Sequence, residues 1–170
     1  QKLTIQLMKN KPILIVPGAP KSIFFEIFFK SIKNKKFKSP IIIICCQDYL
    51  KKILRKYSIK KSVKILNINN HKIKNLNNKS INLINIKLKT SKNKRKNLEF
   101  SKDYILKTFK TAFKLIKNDF TNKFINGPVN KKEFLNRKYL GVTEFIADNF
   151  KQKKIGMLIY NKRLSVCPLT

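Results

Sequence analysis

The chain has 170 residues, of which 42% are hydrophobic, and a formal charge of +32 from 40 basic and 8 acidic side chains. Such a length and apolar content suit one compact domain with a buried core, and no run approaches the ~18 apolar residues of a membrane span. The opening stretch QKLTIQLMKNKP lacks the sustained apolar core and small-residue cleavage site of a secretory signal, so a cytoplasmic location and no membrane partner are expected.

The positive charge does not by itself indicate nucleic acid. The only arginines are Arg55, Arg95, Arg137 and Arg163, whereas readers of phosphates and base edges favour the planar arginine fork. The lysines travel with Ile, Asn and Phe, which A/T-rich codons encode, so base composition accounts for the excess. A lysine-rich nucleic-acid-binding protein stays as a reserve reading. The charge still favours anionic small molecules. Cys45 and Cys46 are neighbours in a strand-like run, and with Cys167 they are expected as reduced, buried thiols. His71 is the only histidine, so no metal site is expected from His and Cys alone.

Met8 has the look of a natural start, and residues 1–10 are expected to be a lead-in. Residues 12–16 (PILIV) predict a buried strand, followed by a Pro17-Gly18-Ala19-Pro20 turn. Ser22 is placed to cap a helix from Ile23 to about Lys33, with Ile23, Phe24, Ile27, Phe28 and Ile32 inward. Residues 41–45 predict a second strand, solidly apolar as interior parallel strands are. Asp48 is the expected cap of a helix over 49–56. A third strand is expected over 63–68, then an Asn-rich loop containing His71. The alternation INLINIKL over 81–88 predicts a strand with one wetter face. Residues 90–97 read as an irregular basic surface segment, and Ser101 as the cap of a long helix over 102–118. A short strand at 124–126 opens into Gly127-Pro128. Short helices at 131–135 and 143–150 follow, the second capped by Thr143, and two strands at 154–160 and 164–166 close the chain.

Alternating strands and helices predict an α/β/α sandwich around a mixed, mostly parallel sheet. The chain has four glycines. Gly18 and Gly127 each follow a predicted strand, where open α/β sheets hold their ligands. Two such loops at one sheet edge outline a pocket.

The residues NGPVNK (126–131) and LGVTEF (140–145) resemble the 4-hydroxythreonine-4-phosphate dehydrogenase family of vitamin B6 synthesis, which has Gly-Pro-x-x-Lys followed by Gly-His-Thr-Glu-Phe. VPGAPKSIFFEIFFK (16–30) is similar to that family's opening strand, turn and helix, and KRLSVCPLT (162–170) to the strand leading to its first metal-binding histidine. The resemblance implies the N-terminal half of an isocitrate/isopropylmalate-dehydrogenase-like fold, truncated relative to the family, with 1–170 as one portion of a longer protein. It implies a homodimer that oxidises a phosphorylated amino-acid substrate, 4-phosphohydroxy-L-threonine or a close analogue. NAD and a divalent metal ion (Zn, Mg or Co) would assist, with the metal ligands outside this chain.

By the same resemblance Lys131, Val142 and Thr143 are substrate-binding positions, and Gly18, Gly127, Pro128 and Asn130 are loop residues near the site. Thr143 is left with two readings, a substrate contact or only a helix cap. Val142 stands where the family has histidine, Asn130 where many members have histidine, and Ala19 where the family has an acid. Phe24 and Phe25 are expected to make the first loop bulkier. These departures carry the alternative reading, a non-catalytic or repurposed relative.

Overall fold

Isoleucine-rich runs with no charged residue become interior strands of a parallel sheet, because both faces of each are covered by helices. The computed structural model describes residues 10–20, 22–33, 36–67, 76–135 and 138–168, without the side chains of 132 and 133. Residues 1–9 of the expected lead-in, with Met8, and residues 69–75 of the Asn-rich loop, with His71, lie outside the described residues. The chain divides into two compact units, Gln1–Asn130 and Lys131–Thr170.

In the first unit, β1 (Ile13–Val16), β2 (Ile41–Cys45), β3 (Val63–Ile65), β4 (Ile81–Asn85) and β5 (Lys123–Asn126) form one sheet in the order β3-β4-β2-β1-β5. Every pairing in it is parallel, with Leu14 opposite both Ile42 and Phe124. The expected α/β architecture is therefore present. Antiparallel pairing occurs in a separate hairpin of the second unit. Helices α1 (Phe24–Ile32) and α2 (Gln47–Lys56) cover one face, where Phe25, Phe28, Leu50 and Leu54 join Ile15, Ile43 and Leu83 in one buried cluster. Helix α3 (Lys94–Lys117) covers the other, its Phe109 and Phe113 rings meeting Phe124 at 5.6 and 5.9 Å.

Several expectations are corrected. Helix α1 starts at Phe24, with the Ser22 hydroxyl accepting from the Phe24 N–H at a long 3.4 Å. Its inner face is Phe24, Phe25, Phe28 and Phe29, whereas Ile23 and Ile27 are 64% and 53% exposed. Four aromatic rings offer more apolar area than the isoleucine stripe, so the helix turns them inward. Helix α2 begins at Gln47, which places Asp48 inside the first turn, where a negative charge also suits the helix dipole. Strand β4 has no wetter face: residues 81–84 are buried because β4 lies between β2 and β3. Asn82 is fully buried there, and its amide donates to the carbonyls of Ile41 and Asn77, both at 2.9 Å.

The largest correction is α3. Asn93, not Ser101, caps it, with Oδ1 accepting from Arg95 N at 2.9 Å and Lys96 N at 3.2 Å. Residues 94–97 of the segment expected as irregular are therefore the first turn of a 24-residue helix. Cys167 is exposed, against the expectation of three buried thiols, while Cys45 and Cys46 are buried. Burial pushes the Cys45 thiol well above its usual range, and the Cys46 N–H donates to the Tyr104 hydroxyl at 3.0 Å.

The second unit contains α4 (Lys131–Leu135), α5 (Val142–Asn149) and the antiparallel pair β6 (Ile159–Tyr160) and β7 (Ser165–Val166). Phe134 and Tyr139 pack edge-on against Phe145 at 5.2 and 5.5 Å. Among the described residues, no helix is long and apolar enough to cross a membrane.

Three helices end in the same way without glycine. Ser58, Asp119 and Lys151 follow α2, α3 and α5 with φ of 52, 57 and 54°. After each, a pair of backbone bonds closes the turn, as in Ser58 N to Arg55 O at 3.1 Å and Ile59 N to Leu54 O at 2.9 Å. This is the Schellman arrangement, whose left-handed residue is usually glycine. We expect Ser58→Gly and Lys151→Gly each to raise the free energy of unfolding by about 1 kcal/mol, read from urea midpoints. A fall at both positions would show that the side chains hold these turns. Alkylation of the native protein should modify Cys167 and spare Cys45 and Cys46, all three reacting once urea unfolds the chain; modification of Cys45 in the native state would contradict its burial.

Candidate functional site

In the first unit, the chain leaves β1 through α1 to reach β2 on one side and arrives at β5 on the other side through α3. Strand order thus reverses between β1 and β5, and ligands of open α/β sheets sit beyond the carboxyl ends of the strands at such a point. Gly18 lies just after β1 and Gly127 just after β5. The first-loop and second-loop residues expected near a site therefore do meet.

They meet through direct backbone bonds. Gly127 N donates to Val16 O at 2.7 Å, and Ala19 N donates to Pro128 O at 2.8 Å. Gly18 has φ of +81°, and a Cβ there would stand 2.2 Å from Pro128 O. A Cβ on Gly127 would stand 2.0 Å from Pro17 O and 2.7 Å from Phe24 Cδ2. Neither position has room for a side chain, so the absence of both Cβ atoms lets the two backbones bond directly. The two loops are clasped directly to each other. Phe24 and Phe25 do not bulk out the first loop, as expected from the sequence; both are buried in α1. Phe24 lies beneath Gly127, a supporting role that its spacing to Phe28 on one helix face could have signalled.

The remaining expected residues stand beyond β5. Asn130 is exposed in the loop that follows Pro128. In the second unit, Lys131 is the exposed first residue of α4, and Val142 and Thr143 are the first two residues of α5. The cap position of α5 is Gly141, so Thr143 is not the N-cap and its exposed hydroxyl is not used for that purpose. The first-turn amides of such a helix lack intrahelical acceptors and carry partial positive charge. Glu144 folds back toward Gly141, where an added Cβ would lie 2.8 Å from its Oε2. That oxygen is buried and has no hydrogen-bond partner among the described residues.

A metal centre finds no support in these donors. Among the described residues, no three His, Cys, Asp or Glu side chains come together as ligands. The described groups of this chain do not by themselves make a divalent-ion site.

The sequence profile of the pyridoxal phosphate biosynthetic protein PdxA family matches residues 36–170. The chain belongs to the PdxA family. Among curated proteins, none matches the chain. Among solved structures, the chain is similar to 4-hydroxythreonine-4-phosphate dehydrogenase from Klebsiella pneumoniae, at 21% identity and a TM-score of 0.72 over 95% of this chain and 50% of that one. It is likewise similar to a 4-hydroxythreonine-4-phosphate dehydrogenase from Burkholderia phymatum, at 17% identity and a TM-score of 0.74, covering 93% of this chain and 49% of that one. The chain spans about half the length of these PdxA structures. The profile takes in the Gly127 loop and α5 but starts after β1, Gly18 and α1.

Gly18→Ala and Gly127→Ala should each destabilise the protein by at least ~1–3 kcal/mol, because the obstructing atoms are backbone. Gly156, where an added Cβ meets nothing within 4 Å, is the control. Thermal melts of the three variants check this. A Gly18→Ala protein as stable as Gly156→Ala would show that the clasp can open without cost.

Proposed function

We propose that this chain is the N-terminal half of a PdxA-type dehydrogenase and supplies one wall of its substrate site. The observation that carries this reading is the PdxA profile match, which includes both the Gly127 loop and the start of α5. The substrate is 4-phosphohydroxy-L-threonine or a close analogue. The reaction would be oxidation of its secondary alcohol with NAD+ as hydride acceptor and release of a proton, followed by loss of CO2 from the β-keto acid and protonation of the carbon that carried it. A divalent metal (Zn, Mg or Co) would polarise the alcohol and carbonyl oxygens as a Lewis acid. Its ligands, and the nicotinamide contacts, are placed outside this chain. The protein acts in the cytoplasm as a homodimer.

Within that division, Lys131 pairs with the anionic substrate and Thr143 donates or accepts through its hydroxyl. The α5 amides add a positive pole that suits phosphate or carboxylate. Gly18, Gly127, Pro128 and Asn130 shape the loops near the site. Val142 replaces a histidine that would hydrogen-bond the substrate, and it favours a second reading, a non-catalytic or repurposed relative.

Calorimetric titration with 4-phosphohydroxy-L-threonine separates the two. Binding should weaken by about tenfold or more in Lys131→Ala, as expected when a charged contact is removed, and Thr143→Ala should weaken it less. Val142→His should preserve or tighten binding; lost affinity would mean that the site has been rebuilt for another ligand. The 170 residues alone should form no NADH with substrate, NAD and divalent metal. NADH formation by them would overturn the placement of the metal ligands elsewhere.

A further inference from the structure

The first unit contains a cavity of about 690 Å³ at the end of the sheet opposite the glycine loops. It lies beside Ile41 and Ile81, the first residues of β2 and β4, on the face covered by α1. Its volume falls within the ~300–1,000 Å³ of small-molecule sites. Phe28, Phe29 and Ile32 of α1 and Ile43 of β2 make its interior apolar.

Five exposed lysines, Lys33, Lys36, Lys60, Lys61 and Lys79, share the lining, and no acidic residue does. Backbone groups of Phe37, Ser39 and Ile41 at the cavity are tied together. Asn78 Oδ1 accepts from Ile41 N at 2.9 Å, while its Nδ2 donates to Phe37 O at 3.1 Å and Ser39 O at 3.0 Å. Lys61 Nζ donates to Asn78 O at 3.2 Å. The left-handed turn at Ser58 brings Ile59 back onto the apolar cluster and sends Lys60 and Lys61 to the cavity. Asn78 is thus a scaffold whose side-chain bonds are used; Lys61 supports it, and the exposed ammonium groups of Lys33, Lys36, Lys60 and Lys79 supply the charge that can meet a ligand.

We propose that this cavity binds an amphipathic anion, a medium-chain carboxylate whose alkyl tail enters beside Phe28 and Phe29 and whose headgroup meets the lysines. An inorganic anion would leave the apolar interior unused, a neutral chain would gain nothing from the lysines, and a cationic one would be repelled. The general positive charge of the protein attracts anions everywhere on its surface; here that field coincides with an apolar cavity of ligand size. The cavity is separate from the glycine loops, which lie at the opposite end of the sheet.

Dodecanoate is the probe, titrated below its micellar concentration by calorimetry. The chain contains no tryptophan, so Phe37→Trp, at a cavity-lining aromatic position, gives a single indole whose emission reports occupancy. We expect one dodecanoate per chain, a blue shift of the indole, and affinity that falls as salt screens the lysines. Lys33→Glu/Lys60→Glu should weaken binding by about tenfold or more, whereas Lys110→Glu/Lys114→Glu, an equal charge change on exposed α3 positions, should change it by less than about threefold. Melting temperatures without ligand establish that both variants fold. The proposal is overturned by equal losses in the two variants, by equal binding of dodecyltrimethylammonium or phosphate, or by many dodecanoates per chain.

Discussion

The direct bonding of two loop backbones, after β1 and after β5, is the constraint around which the first unit is arranged. It joins strands whose connections run over opposite faces of the sheet, α1 on one side and α3 on the other. Gly127 N to Val16 O and Ala19 N to Pro128 O are made at distances that a Cβ at either glycine would prevent. Phe24 then closes the space under Gly127, so the aromatic face of α1 is tied to the same contact. The carboxyl edge of the sheet is thereby fixed at β1 and β5.

The use of glycine elsewhere supports this view. Helix ends are where glycine is most often found in the left-handed conformation, yet α2, α3 and α5 end on Ser58, Asp119 and Lys151. Each of these residues carries the steric cost of positive φ. A chain that tolerates that strain at three helix ends nevertheless has glycine at both clasped positions. The difference is physical: a left-handed side chain at a helix end points to solvent, whereas one at Gly18 or Gly127 would enter a neighbouring carbonyl.

The two ends of the parallel sheet also differ in chemistry. At the carboxyl ends the backbone dominates, through tight loops and their bonded amides. At the amino ends of β2 and β4 the side chains dominate, with aromatic and isoleucine walls under lysines. Both are consequences of parallel pairing, which places all the strand starts on one edge and all the strand ends on the other. The glycine loops and the lysine-lined cavity thus lie at opposite edges of one sheet.

The sequence by itself determined the α/β class, the buried isoleucine strands and the position of the glycine loops, because these follow from local periodicity and from residues with few conformational options. The motifs NGPVNK and LGVTEF also carried the PdxA resemblance. Tertiary structure decided what local pattern leaves degenerate. Which stripe of α1 faced inward depended on the area its phenylalanines could bury against β1, β2 and α2, not on the equally periodic isoleucines. The start of α3 depended on Asn93 reaching two amides of a basic segment that composition marked as surface loop. Whether the loops after β1 and β5 stood apart or touched depended on the parallel register that sets Val16 beside Asn126. Such pairings join residues more than a hundred positions apart, and no local signal encodes their separation in space.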